Sequence, residues 1–281
     1  MTGINSPQRA DDPLLGAAAD LSSRYHLSVH CHLLETRWQK MSARKAGISP
    51  LEKLDRYSLL HEHTSLAHCI WMDDKELDLM AKRRAIPVSN PSSNLFLGSG
   101  VFPAGRCLER GILPALGSDG VNCASSNNMM DVLRTFLFLQ RSCEPDWRRW
   151  ISGADAWSMV TARGRQVLNM KSDAAEKNLL SPGQPADLAV ADKNSFLNIS
   201  ANFLPNQLLF HNHPVFRHVM IGGKFVMKDG KITVIDEDGL GREIGERKND
   251  LDRRFTEALR KARPDKELFA RRYQEIFTSP G

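Results

Sequence analysis

The stretch Val29-His30-Cys31-His32-Leu33-Leu34-Glu35-Thr36 gathers two imidazoles and a carboxylate within a few residues. Its first residues alternate as a strand would, so His30 and His32 share one face. Glu35 falls where that strand runs out into a loop. A histidine on a strand with a carboxylate at the strand's mouth suits metal coordination or general acid–base catalysis. Downstream, His68, Ser93, Asn94 and Asp119 offer further polar groups of the same kinds.

The elements that must position these groups can be read in order. Asp11 or Asp12 caps a helix over about 11–25, with Pro13 in its first turn and an apolar stripe of Leu14, Leu15, Ala18 and Leu21. The His32 strand spans 27–34, a polar segment covers 36–46, and Ser49-Pro50 opens a helix to about 60. Leu66–Trp71 reads as a buried strand, and Asp73 and Asp74 cap a helix over 75–85. Ile86–Asn90 is a strand, followed by Pro91-Ser92-Ser93-Asn94-Leu95 and a loop with Gly98 and Gly100. A short helix over 103–110, a strand over 112–116 ending in Gly117-Ser118-Asp119-Gly120, and a helix over 127–141 complete the series. Strand, loop and helix recur four times, which predicts β/α units in a parallel sheet. His32, Glu35, His68, Asn94 and Asp119 all fall at or just past carboxyl ends of these strands, where such folds build their chemistry.

After about residue 153 the pattern changes. A helix over 153–169 is followed by strands near 186–192, 215–221, 224–227 and 231–235, with Asp229-Gly230 turning the last pair into a hairpin. The tail from about 241 to 277 is helical and charged. The expected organisation is residues 1–170, 171–238 and 239–281.

Composition narrows the classes. The hydrophobic fraction is 41% and the charged fraction 25%, ordinary for a globular protein. No apolar run approaches the ~18 residues of a membrane helix, so no membrane partner is expected. Five cysteines without a C-x-x-C pair argue for reduced thiols and a cytoplasmic setting. The net charge of +5 comes with interleaved acids in the tail and no nucleic-acid motif, so no nucleic-acid partner is expected.

The ordered set His32-Leu-Leu-Glu35-Thr, Ala67-His68-Cys69, Pro91-Ser-Ser-Asn94-Leu with Gly98-Ser-Gly100, and Leu116-Gly-Ser-Asp119-Gly resembles the amidohydrolase superfamily, in its deaminase and chlorohydrolase branch. Gly183-Gln-Pro-Ala-Asp187-Leu and Val219-Met-Ile-Gly222-Gly223-Lys resemble its C-terminal β-sandwich. The resemblance covers about residues 7–235. It implies an α/β fold: a partial (β/α) TIM-type barrel holding strands five to eight, part of a β-sandwich, and a charged helical tail. It implies a divalent metal, zinc ahead of iron or nickel, and hydrolysis of a carbon–nitrogen or carbon–chlorine bond on a small heterocycle. By resemblance His32 and Asp119 bind the metal. Glu35 shuttles a proton between water and leaving nitrogen, His68 positions or polarises, and Asp119 takes the proton from water. Asn94 and Ser93 face the substrate or bond their own loop.

The family's H-x-H pair of strand one has no counterpart. His30-Cys31-His32 belongs to the strand-five motif, and His61-Glu62-His63 precedes strand six. The ligand set is therefore incomplete. That leaves two function classes open: a hydrolase, or a non-catalytic fragment that acts as an interaction partner. A partial barrel also exposes strand edges, so a complementary N-terminal half, self-assembly or a truncated remnant is expected.

Overall fold

A computed structural model describes residues 1–124, 127–169, 180, 182–183, 185–192, 215–261 and 265–278. These residues fall into two compact units, described separately, one ending at 169 and the other starting at 180.

The first unit is built on a parallel sheet of five strands: β1 (Thr2–Gly3), β2 (Val29–Leu33), β3 (Thr64–His68), β4 (Ile86–Ser89) and β5 (Ala115–Leu116). They lie side by side in chain order. Helices connect them: α1 (Asp12–Tyr25), α2 (Arg37–Ala46), α3 (Pro50–Arg56), α4 (Asp74–Arg83), α5 (Pro91–Phe96) and α6 (Ala104–Leu108). After β5 come α7 (Met129–Cys143), α8 (Gly153–Val160) and α9 (Ala162–Val167). The expected β/α alternation is present, with one more strand than the sequence suggested: β1 is too short to show a pattern.

Local signals set the helix ends. The Asp11 carboxylate accepts from the Leu14 N–H at 3.0 Å, and His26 closes α1 in the left-handed region. The polar stretch after Glu35 is in fact α2, opened by a reciprocal capping box between Thr36 and Gln39. An equivalent box between Asp73 and Glu76 opens α4. The stretch from Pro91, expected as loop, is the short helix α5, with Pro91 in its first turn.

Register decides which side chains share a face. Val29, Cys31 and Leu33 alternate with His30 and His32, and β2 pairs with β3 so that Cys31 meets Leu66. That face joins Leu15, Leu51, Leu54, Leu77 and Phe136 in one buried apolar cluster between sheet and helices. Each such side chain contributes about 1.5–3 kcal/mol through burial. The other face carries His30 opposite Ser65 and His32 opposite Ala67. Ser65 and Ala67 in turn pair with Ile86 and Val88. There Ile86, Val88 and Ala115 form a second, smaller cluster against Val167 of α9.

Three of the five thiols lie within the first core. Burial pushes Cys31 and Cys107 up to about 12 and Cys69 well above its ordinary range. A thiol-reactive dye at pH 8 should therefore label exposed Cys143 and half-buried Cys123 quickly. The other three should react only on unfolding, and fast labelling of all five in the native protein would contradict this core.

The second unit is an antiparallel sheet of β6 (Leu188–Ala191), β7 (Phe216–Ile221), β8 (Lys224–Lys228) and β9 (Lys231–Ile232), in that order. Two tight turns join the last three strands. Gly222 and Gly223 have φ of 55° and 78°, and Asp229 and Gly230 have 52° and 77°. Positive φ at both positions is what a two-residue hairpin needs to match strand twist. Helices α10 (Glu237–Lys261) and α11 (Lys266–Thr278) follow. No helix among the described residues is long and apolar enough to cross a membrane.

Candidate functional site

The candidate groups meet at the carboxyl ends of β2, β3 and β5. His32 lies near the end of β2, where its ring is fixed by an atom that no sequence pattern marks. The Asn5 carbonyl accepts from both the His32 backbone N–H, at 3.1 Å, and the ring Nδ1–H, at 2.6 Å. A carbonyl only accepts, so Nδ1 carries a proton, and in the neutral ring Nε2 keeps its lone pair. The residue-type signal at Asn5 is nil, because the main chain does the work.

His68 is placed by an unusual backbone. It ends β3 paired with Leu33, so simple alternation would send it toward the apolar core with Leu33 and Leu66. Instead His68 and Cys69 both lie in the left-handed region, with φ of 72° and 50°. The turn is held by the Cys69 N–H donating to the Leu33 carbonyl at 2.9 Å and the Trp71 N–H to Leu34 at 3.0 Å. His68 consequently stacks on His32, with ring centroids 5.6 Å apart and planes 16° from parallel. Leu34, with φ of 45°, and Asp119, with φ of 65°, share this backbone conformation. Strain of this kind at three strand ends in one unit marks a place where side-chain aim is set at a cost in stability.

His68 is 1% exposed, and its Nδ1 bonds the Asn94 Oδ1 at 2.8 Å. Its Nε2 then faces the Asp119 Oδ2 at 3.8 Å. With Nδ1–H donated to Asn94, the gap between Nε2 and the carboxylate is one that a proton on Nε2, a water or a cation would complete. Burial pushes the Asp119 carboxyl up, but opposing influences outweigh it: the Ser93 hydroxyl, the Gly120 N–H, the His68 charge and the Cys123 thiol together hold it below the usual carboxylate range. The Gly120 N–H donates at 2.7 Å. Ser93 Oγ influences Asp119 yet makes no direct hydrogen bond of normal length, and it is fully buried. A buried hydroxyl without a partner is costly unless something else uses it.

The remaining candidates separate. Glu35 begins the loop after β2; its backbone N–H is held by Gln39 Oε1 at 2.6 Å. Its carboxylate is half-exposed and forms no hydrogen bond or ion pair among the described residues. His30 bonds Ser65 Oγ at 2.8 Å; burial first, then His32 and His68, push its pKa down. It is a tethered ring whose surroundings disfavour the charged form. His61 and His63 sit in the turn before β3, at the opposite strand end from His68. Asn90, which follows β4, is a residue the sequence did not single out. A side chain at Gly117 would come within 2.5 Å of its amide oxygen, so the glycine of Leu116-Gly117-Ser118-Asp119 makes room for it.

The donor chemistry here suits a divalent cation, but the count falls short. Among the described residues no group of three or more His, Cys, Asp or Glu side chains is placed to hold a metal ion, whereas a catalytic zinc takes about three protein ligands.

Residues 2–226 match the model of the amidohydrolase family. The chain belongs to that family. A 5'-deoxyadenosine deaminase of Methanopyrus kandleri is 32% identical over 241 residues, covering 84% of this chain and 54% of that protein. A 5-methylthioadenosine/S-adenosylhomocysteine deaminase of Halothermothrix orenii is 29% identical over 252 residues, covering 88% and 57%. Among solved structures, an adenosine deaminase from Xanthomonas campestris with bound zinc superposes with a TM-score of 0.79 at 23% identity. It is covered to 56% of its length by 89% of this chain. Atrazine chlorohydrolase from Arthrobacter aurescens, complexed with zinc, gives 0.76 at 18% identity, over 87% of this chain and 53% of that one. The two structural likenesses show a shared fold. This amidohydrolase-family chain thus spans about half the length of the relatives it matches.

Proposed function

We propose that this chain supplies the proton-transfer side of a metal-dependent hydrolase that cleaves a carbon–nitrogen bond on a heterocycle, with purine nucleosides as the substrate class. The observation that carries this reading is the His32–His68–Asp119 cluster, gathered at three strand ends, with His68 and Asp119 in the left-handed region, on an amidohydrolase chain. The deaminase relatives favour nitrogen over chlorine as the leaving atom. In this reading the five parallel strands are an arc of a (β/α) barrel, and the cluster lies at its mouth.

His32 Nε2 and Asp119 are the donors this chain offers a divalent metal, zinc ahead of iron or nickel. Such an ion, when bound, brings the pKa of water toward neutrality. Two donors do not complete a site, so the others come from outside the group gathered here, from a complementary segment. Asp119, ionised at neutral pH, accepts one proton from the water as the water's oxygen bonds the ring carbon, and returns it to the adjacent ring nitrogen. Glu35, at the strand mouth, takes the oxygen's remaining proton and passes it to the amino group, so the carbon–nitrogen bond breaks, ammonia leaves and the oxygen becomes a ring carbonyl. Asn94 fixes His68 so that Nε2 faces the reacting oxygen, and the unpartnered Ser93 hydroxyl is left for the substrate.

The test measures zinc, iron and nickel per chain in purified protein, with ammonia release from 5'-deoxyadenosine, methylthioadenosine and adenosine. With an added segment bearing an H-x-H strand, about one metal per chain, lost on Asp119→Ala, together with released ammonia supports the reading. Near-zero metal and no ammonia in that mixture would overturn it. The same assay on the chain alone should give little metal and no ammonia, and a full metal with turnover there would overturn the need for a complementary segment.

A further inference from the structure

Helix α10 carries an apolar face that no described residue covers. Leu240, Ile244, Leu251, Phe255 and Leu259 are 46 to 65% exposed. At 3.6 residues per turn they fall within an arc of about 100°. The rest of the helix is charged, with i,i+4 pairs at 2.7 Å between Arg247 and Glu243, Lys248 and Asp252, and Arg254 and Asp250. Pairs of that kind stabilise a helix by only ~0.2–0.5 kcal/mol each. Most of a helix's stability comes from packing its apolar face.

The order of residues along α10 points to what that packing is. A two-fold axis crossing the helix between Asn249 and Asp250 sets Leu240 opposite Leu259 and Ile244 opposite Phe255. Leu251 then meets the aliphatic stem of Lys248. Within one residue, the same axis orders the charges along one edge of the stripe. Glu243 faces Arg254 and Arg247 faces Asp250. Every facing pair is of opposite sign, as interhelical pairs flanking an apolar seam require. Acidic and basic residues are equal in number from 237 to 261, so an anionic lipid surface would find no net attraction.

We propose that α10 pairs antiparallel with α10 of a second copy of this chain, making the protein a two-fold dimer through its helical tail. This inference is independent of the proposed chemistry. Its test is sedimentation equilibrium on the full chain and two variants. Glu243→Arg with Asp250→Arg makes the central edge positions 243, 247, 250 and 254 all basic; Arg247→Glu with Arg254→Glu makes them all acidic. The parent should sediment as a dimer, and each variant alone should associate at least roughly tenfold more weakly. An equimolar mixture should regain the parent's dimer mass, because every facing pair is then opposite in sign again. A monomeric parent, variants that dimerise as well as the parent, or a mixture that stays monomeric would each overturn the pairing.

Discussion

In metal-loaded protein that turns over, Glu35→Gln should lower turnover by about 10²–10⁴-fold while leaving the metal content unchanged. Asp119→Asn should lose both. The contrast follows from where the two carboxylates sit. Asp119 is pinned, with its Oδ1 on the Gly120 N–H and its Oδ2 3.8 Å from His68 Nε2. Glu35 hangs from the loop after β2, held among the described residues only through its backbone N–H by Gln39. A fixed carboxylate suits a metal donor; a freer one suits a group that must reach first water and then the leaving nitrogen. Glutamine keeps the shape of Glu35 and removes its proton-carrying capacity. Steady-state rates beside metal analysis of both variants check this. Loss of metal in Glu35→Gln, or full activity in it, would contradict the assigned roles.

Lys40→Ala should destabilise the first unit by about 3–5 kcal/mol, the cost of leaving a buried charge uncompensated. Lys40 is 7% exposed, and its Nζ reaches Asp73 at 2.7 Å and Glu76 at 2.6 Å. Glu76 is itself 3% exposed and takes a further bond from Ser49 at 2.8 Å. The network ties α2 and the start of α3 to the capping box of α4. Replacing the pair by apolar residues, Lys40→Met with Glu76→Leu, should recover much of the loss, because no unpaired charge then remains. Urea unfolding of the three proteins gives the comparison, and a loss under about 1 kcal/mol for Lys40→Ala would place the ion pair in solvent. The acid limb carries the same information. Burial raises the Asp73 carboxyl, but the Lys40 hydrogen bond, the Glu76 N–H and the charges of Lys40 and Arg44 win and lower it below 3.8. Its contribution is therefore fully present above about pH 4 and is lost as pH falls through the lower folded value. Removing Lys40 should shrink that acid-side slope.

The sequence by itself determined the alternation of β and α elements, the caps of α1 and α4, the turn at Asp229-Gly230 and the chain order of the site residues. Those features depend on neighbours a few residues away, so a linear reading captures them. The helices α2 and α5 were harder. Thr36 with Gln39, and Pro91 at a helix start, are helix signals that polar composition hid. β1 was out of reach, because two residues make a strand only when a neighbour supplies the hydrogen bonds, as the Ser28 and His30 carbonyls do for Thr2 and Ile4.

What the tertiary structure decided is the aim of the side chains. Alternation along β3 places His68 with Leu33 and Leu66, in the apolar core. Only bonds across to Leu33 and Leu34, from the turn after the strand, hold His68 and Cys69 in the left-handed conformation that brings His68 over His32. The tautomer of His32 likewise depends on a main-chain carbonyl 27 residues away. Residue type and spacing name the groups that can do chemistry. Their direction rests on backbone hydrogen bonds between segments distant in sequence, and these form only when the sheet does.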